Sequence, residues 1–115
     1  MRINLPQRNK YGAKKTVYKG RTYHSKREAA YAWELDQRVK NGEIISWIPQ
    51  VRIPLLVNSQ RICTYVCDFS CIMADGHTRL VEVKGYQTAV YKLKRKLLEV
   101  IYLKEHPDIE YVVLE

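Results

Sequence analysis

The first 27 residues contain no aspartate and no glutamate. They carry nine lysines and arginines, with Tyr11, Tyr18 and Tyr23 set among them. Residues 28–115 hold eleven basic and twelve acidic side chains, so this arm supplies the whole formal net charge of +8. A basic segment with interleaved tyrosines suits a polyanion, because the cations meet phosphates and the rings stack on bases. A solvated tail is the plain alternative. The arm lacks an amphipathic apolar stripe, which argues against a membrane surface as its partner.

Other absences narrow the field. No run of eighteen apolar residues exists, so no membrane span is expected. No apolar run of signal-peptide type stands at the N-terminus, and the expected compartment is the cytoplasm. Cys63, Cys67 and Cys71 cannot pair if they lie on one strand. A spacing of four at ~3.3 Å per residue separates neighbours by about 13 Å, whereas a disulfide needs Cα atoms within roughly 7 Å. They read as small core residues of a reducing compartment. His24, His77 and His106 are too scattered to form a metal site or a triad, and no internal repeat is present.

What is present fits one domain, residues 1–115, divided into a basic arm with a small hairpin (1–24) and a core (25–115). Val17 to Tyr23 reads as a hairpin turning at Lys19-Gly20. Ser25-Lys26-Arg27-Glu28 is a capping box, opening a helix that runs to Lys40 and stops at Asn41-Gly42. Residues 43–48 read as a connector. Strands are expected over Val51–Val57, Arg61–Met73 and Arg79–Lys84, with a turn at Ala74-Asp75-Gly76-His77. A second helix is expected over Thr88–Glu105, with Val90, Leu93, Leu97, Val100 and Ile101 as its buried stripe. A last strand covers Ile109–Leu114. The class is α/β (α+β): a mixed central sheet flanked by helices, in the order α-β-β-β-α-β.

The chemistry lies in a few acids. Alternation places Cys63, Tyr65, Cys67, Phe69 and Cys71 on one face of their strand, and Asp68 on the other. Asp68 is the sole charge between Arg61 and Asp75. A turn near Asp75 sets Asp68 opposite Glu82, with side chains roughly 5 Å apart. Two carboxylates at that distance resist joint ionisation, and a divalent cation with oxygen ligands relieves them. Lys84, one step along the same face, would then stand beside the metal and the phosphate. On the first helix Glu28 falls within about 40° of Ala32, Leu35 and Val39, pointing inward. Glu34 lies some 120° away and reads as a surface ion-pair residue. Each acid also has a plain reading: Glu28 closes a capping box, and Asp68 pairs with Lys84 across strands.

His24-Ser-Lys-Arg-Glu28-Ala-Ala, Cys67-Asp68-Phe69, Val81-Glu82-Val83-Lys84-Gly85 and Tyr91-Lys-Leu-Lys-Arg-Lys-Leu97 together resemble the PD-(D/E)XK nuclease superfamily. The likeness spans residues 24–105 and is strongest to small phage-encoded members, similar to Holliday-junction resolvases and phage endonuclease I. Cys67 departs from the name-giving proline. The resemblance implies a restriction-endonuclease-like core and a Mg²⁺-dependent DNA endonuclease acting on branched DNA. Mn²⁺ would substitute, no small-molecule cofactor is needed, and the expected compartment becomes the host-cell cytoplasm for a phage product. Asp68, Glu82 and the Val83 carbonyl would bind the metal, Glu28 would do so directly or through water, and Lys84 would be the catalytic lysine. Lys14, Lys15, Lys26, Arg27, Gln87, Tyr91, Lys92, Arg95 and Lys96 would contact nucleic acid. Cutting a symmetric junction implies a homodimer. A nicking or restriction-like enzyme on duplex DNA, a non-catalytic nucleic-acid-binding protein and a basic structural protein remain the competing readings.

Overall fold

A computed structural model describes residues 14–115. The chain is a mixed α+β fold with a mixed four-stranded sheet and two helices. Residues 1–13 of the basic arm, Tyr11 among them, lie outside the described residues.

A short hairpin comes first, β1 (Thr16–Tyr18) and β2 (Arg21–Tyr23). Its turn takes left-handed backbone at both central positions, φ 50° at Lys19 and 79° at Gly20. That geometry matches the twist of the flanking strands. Tyr18 donates to Asp36 at 2.6 Å and Trp47 donates to the other oxygen of Asp36 at 3.0 Å. The hairpin is thereby fastened to α1 (Lys26–Lys40).

α1 begins where Ser25 accepts from the Glu28 N–H at 3.1 Å. The Glu28 carboxylate accepts from the His24 N–H at 3.4 Å, one residue earlier than a capping box requires. The helix buries Glu28, Ala29, Ala32 and Leu35, while Val39 at its far end is 37% exposed. Glu34 faces out and pairs with Arg38 at 2.7 Å.

The sheet order is β3-β4-β5-β6, built from β3 (Ile44–Val57), β4 (Gln60–Met73), β5 (Thr78–Val83) and β6 (Glu110–Leu114). The first three strands are antiparallel, and β6 runs parallel to β5. The expected connector at 43–48 is strand, the first part of a long β3. Pro49 and Pro54 are tolerated in it because β3 is an edge, where a missing N–H breaks no inner ladder.

β5 pairs with β4 only over Phe69–Ile72, so the rest of the β3–β4 hairpin extends past the sheet. There it is covered by α2 (Ala89–Leu97) and the turns that follow. The helix expected to reach Glu105 is regular only to Leu97, then widens into a π-type turn over Leu98–Tyr102 and tightens into a 3₁₀ turn over Leu103–Glu105. Its buried side also differs from the expected stripe. Tyr91 and Leu98 go inward, and Val90, Leu93 and Val100 are 63, 61 and 55% exposed. Of that stripe Leu97 and Ile101 do pack against the core, and aliphatic spacing missed Tyr91, which is drawn in by polar partners as well as by its ring.

Two core clusters result. One, under α1, centres on Phe69, whose ring lies 5.3 Å from Tyr31, 5.7 Å from Trp47 and 6.1 Å from Tyr23, centroid to centroid. The other, under α2, joins Ile53, Leu55, Tyr65, Cys67, Leu80, Tyr91 and Leu98. Burial of each such large side chain stabilises the fold by about 1.5–3 kcal/mol. The row expected to share one face of β4 is thus split: Tyr65 and Cys67 enter the second cluster, Phe69 and Cys71 the first. The changeover falls at Asp68.

Candidate active site

Asp68 stands where β4 parts from β5. The last cross-strand partners before it are Phe69 and Val81. On the other side the ladder steps from Pro49↔Phe69 to Val51↔Cys67, skipping Gln50, whose φ is 53°. β4 has lost its main-chain partner on β5, and the Asp68 side chain takes its place. Its Oδ2 accepts from the Val83 N–H at 2.8 Å. The sheet opens at this point and a carboxylate fills the gap.

Glu82 is 4% exposed and within hydrogen-bonding reach of Asp68. Its Oε1 accepts from the Tyr65 hydroxyl at 3.2 Å, and its Oε2 lies 3.9 Å from Lys84 Nζ. Lys84 Nζ in turn sits 4.2 Å from the centroid of the Tyr91 ring. The Lys84 backbone is held too: its N–H donates to Leu114 O at 2.8 Å, and its carbonyl accepts from Arg27 at 3.5 Å. Glu28, 8% exposed, approaches from α1, close enough to feel the charges of both Asp68 and Lys84. α1, β4 and β5 therefore bring Glu28, Asp68, Glu82 and Lys84 to one place.

The electrostatics are those of excess buried negative charge. Burial pushes Glu82 up to about 8, and the Asp68 charge adds to the shift. Burial likewise pushes Glu28 up to about 7, helped by Asp68. Asp68 is raised by burial, against the Val83 N–H bond and the nearby Lys84 and His24 charges. Without another cation, one lysine faces three carboxyl groups, and each holds its proton more tightly than a free carboxylic acid does. Cys67 fills the position beside Asp68 as a buried, protonated thiol. It donates to Val81 O at 3.3 Å, and burial followed by the Glu82 charge holds its pKa high. All three cysteines are free.

Among the described residues no three His, Cys, Asp or Glu side chains converge tightly enough to hold one ion by themselves. The donor set here is the carboxylates of Asp68 and Glu82, which perturb one another, and that of Glu28, which feels the Asp68 charge. Those donors are hard oxygens, the kind that Mg²⁺ accepts while keeping several of its waters.

The family model described as a protein of unknown function, DUF1064, matches residues 8–110. The chain belongs to the DUF1064 family. No curated protein and no solved structure matches it significantly.

Around this site of a DUF1064 chain, the expected nucleic-acid contacts fall into two groups. Lys14, Lys15, Lys26, Lys92 and Lys96 are exposed. The others already have protein partners. Arg27 donates to Lys84 O and, at 2.8 Å, to Glu115 O. Gln87 donates to the Glu115 carboxylate at 3.2 Å. Arg95 pairs with Glu99 at 3.5 Å and lies over the Tyr111 ring. Tyr91 departs furthest from its expected place: at 8% exposure it is a core residue beneath Lys84 and not a surface for a base. A pocket of about 240 Å³ opens over Glu82, Lys84 and Tyr91, with Thr64, Val66 and Lys94 on its walls.

Three functional neighbours escaped the sequence reading. His24 acts electrostatically on Asp68. Tyr65 and Tyr111 share a 2.6 Å hydrogen bond beside Glu82. Period-two alternation marked Tyr65 as inward, but no local signal tied it to an acid seventeen residues away.

Proposed function

We propose that the protein is a Mg²⁺-dependent, structure-selective endonuclease that hydrolyses phosphodiester bonds in branched DNA of the four-way-junction kind. The observation that carries this reading is the meeting of Glu28, Asp68, Glu82 and Lys84 at the opening of the sheet. On this reading the α-β-β-β-α-β portion is a restriction-endonuclease-like core. Asp68, Glu82 and the Val83 carbonyl would hold Mg²⁺, with Mn²⁺ as a substitute, and the ion supplies activation of water and neutralisation of charge on the phosphate. The fit rests on the donors: hard carboxylate oxygens from a half-buried Asp68 and a buried Glu82, with burial raising the pKa of both.

The chain's own groups divide the remaining work. Asp68 Oδ2 is fixed by the Val83 N–H, which leaves Oδ1 for a ligand. Glu82 Oε1 is fixed by Tyr65 in the same way. Glu28 accepts protons or orients water from the helix side. Lys84, steadied between Glu82 and the Tyr91 ring, donates to a phosphate oxygen or aligns the attacking water. The exposed lysines at 14, 15, 26, 92 and 96 neutralise flanking phosphates. Backbone contacts of this kind select DNA shape over base sequence. A symmetric junction takes two cuts, so the working unit is a homodimer, which the mass in solution with and without DNA tests.

The deciding assay incubates the protein with labelled four-way junction, flap and linear duplex, in Mg²⁺ or in EDTA. Metal-dependent cutting that favours the junction is the expected result. Binding without cutting would make the protein a non-catalytic DNA-binding module. Equal cutting of linear duplex would remove the structural selectivity.

A further inference from the structure

Three phenols form an unbroken hydrogen-bonded chain that ends on Glu82. Tyr91 Oη lies 3.3 Å from Tyr111 Oη, Tyr111 Oη lies 2.6 Å from Tyr65 Oη, and Tyr65 Oη lies 3.2 Å from Glu82 Oε1. The residues come from α2, β6, β4 and β5, so four separate elements are tied at one line of oxygen atoms. Tyr65 is 2% exposed, Tyr91 8% and Glu82 4%. Their rings also touch, with centroids 6.4 Å apart for Tyr65–Tyr91 and for Tyr65–Tyr111.

Proton counting gives the chain a direction. Each phenol has one proton to donate and an ionised carboxylate has none. If Glu82 is ionised, Tyr65 must donate to it. Tyr111 must then donate to Tyr65, and Tyr91 to Tyr111. The Tyr65 and Tyr111 hydroxyls both accept and donate while Tyr91 starts the chain as a donor, and such chains strengthen their members. Two cations sit on the same rings: Lys84 over Tyr91 at 4.2 Å and Arg95 over Tyr111 at 5.9 Å. A core that needed only apolar volume at position 65 would be served by phenylalanine, as it is at Phe69, four residues along β4 in the other cluster. Burying three hydroxyls is unfavourable unless each is satisfied, and here they are satisfied by one another and by an acid.

We propose that Tyr65 and Tyr111 are positioning residues for the site: they lock Glu82 Oε1 in place so that Oε2 faces the metal and Lys84, while Tyr91 sets the height of the lysine. The inference rests on the nuclease reading and names residues outside the four expected from the sequence. Outer partners of this type, when removed, commonly weaken metal binding 10- to 100-fold.

The test compares wild type, Tyr65→Phe, Tyr111→Phe and Tyr31→Phe. The last removes a hydroxyl from the other core and serves as the control. Mn²⁺ affinity is measured on the DNA-free protein by titration calorimetry, kcat and KM on four-way junction DNA, and thermal melting in EDTA. Tyr65→Phe should lose about tenfold or more in Mn²⁺ affinity. Its kcat should fall with KM for DNA unchanged, and its melting shift should be no larger than that of Tyr31→Phe. Tyr111→Phe should show the same pattern more weakly, and it carries the test if Tyr65→Phe does not fold. Wild-type Mn²⁺ affinity and kcat in both chain variants would overturn the inference and leave the nuclease reading standing. A wild-type protein that neither binds Mn²⁺ nor cuts DNA would overturn both.

Discussion

The two ends of β5 hold carboxylates under opposite conditions. At the Thr78 end, Glu110 accepts from His77 at 2.8 Å and from Arg79 at 2.9 Å, and Asp75 accepts from the His77 N–H at 2.9 Å. Glu110 is partly exposed and meets the Arg79 cation, Asp75 is well exposed, and His77 bridges the two acids. The hydrogen bond from His77 holds Glu110 below the usual range, and the backbone bond from His77 does the same for Asp75. At the Glu82 end, the buried Glu28 and Glu82 and the half-buried Asp68 meet one lysine, and desolvation holds all three above the usual range. The first arrangement is how this fold makes a structural ion pair. The second is unfavourable by itself, and it makes physical sense as a place kept ready for a positive ligand.

The largest expected effect separates the ends by activity. Asp68→Asn and Lys84→Ala should each cut junction cleavage by at least about a hundredfold. Glu110→Gln should leave it at the wild-type level. Cleavage surviving both site substitutions would remove the difference in role between the two ends.

Stability should then move in opposite directions. In EDTA at pH 8, Glu82→Gln should stabilise the protein by on the order of 2 kcal/mol, since it removes a buried, repelled acid. Glu110→Gln should destabilise it by less than about 1 kcal/mol, the usual scale of a partly exposed pair. Denaturant midpoints of the two variants check this, and shifts of the same sign would refute the contrast.

The pH profile sharpens it further. Unfolded carboxyl groups lose their protons near pH 4.3 or below, while folded Glu28 and Glu82 keep theirs to about 7 and about 8. Between those limits the native state binds more protons, so stability in chelator should fall as pH rises from 5 to 9. Millimolar Mg²⁺ should flatten the upper part of that fall. A metal-free profile rising over the range would contradict the assignment.

The smallest effect belongs to His77. Hydrogen bonds that its ring donates to Glu110 and then to Asp75 raise it above its ordinary value. Its stabilising charge is complete below an ordinary histidine pKa and disappears as pH climbs through the raised one. His77→Gln should therefore melt slightly below wild type at pH 6 and equal it at pH 9.

Much of this was readable from local rules. The capping residues marked α1 to within a residue, Asp75-Gly76 marked the β4–β5 turn, and a helical wheel aimed Glu28 inward and Glu34 outward. Counting back from that turn gives the register of the β4–β5 ladder, which ends at Phe69↔Val81, one step short of Asp68 and Glu82. What failed depended on distant partners. Counting could not foresee that the ladder would stop at Phe69, where the Asp68 side chain takes up the Val83 N–H. Aliphatic periodicity placed Leu97 and Ile101 inward but missed Tyr91, which is held by Tyr111 and by Lys84. For Arg27, read as a phosphate contact, the fold adds Lys84 O and Glu115 O as partners that no local signal announced.

The parallel pairing of β6 with β5 has a consequence for timing during synthesis. When residues up to 105 have left the ribosome, every proposed catalytic side chain has been made. β5 still lacks its second neighbour, the Lys84 N–H lacks Leu114 O, and the phenol chain lacks Tyr111. The acids and the lysine exist as a string of residues some time before they exist as a site. For a protein proposed to cut DNA, the strand at residues 110–114 acts as a delay: translation must pass it before the chemistry can begin.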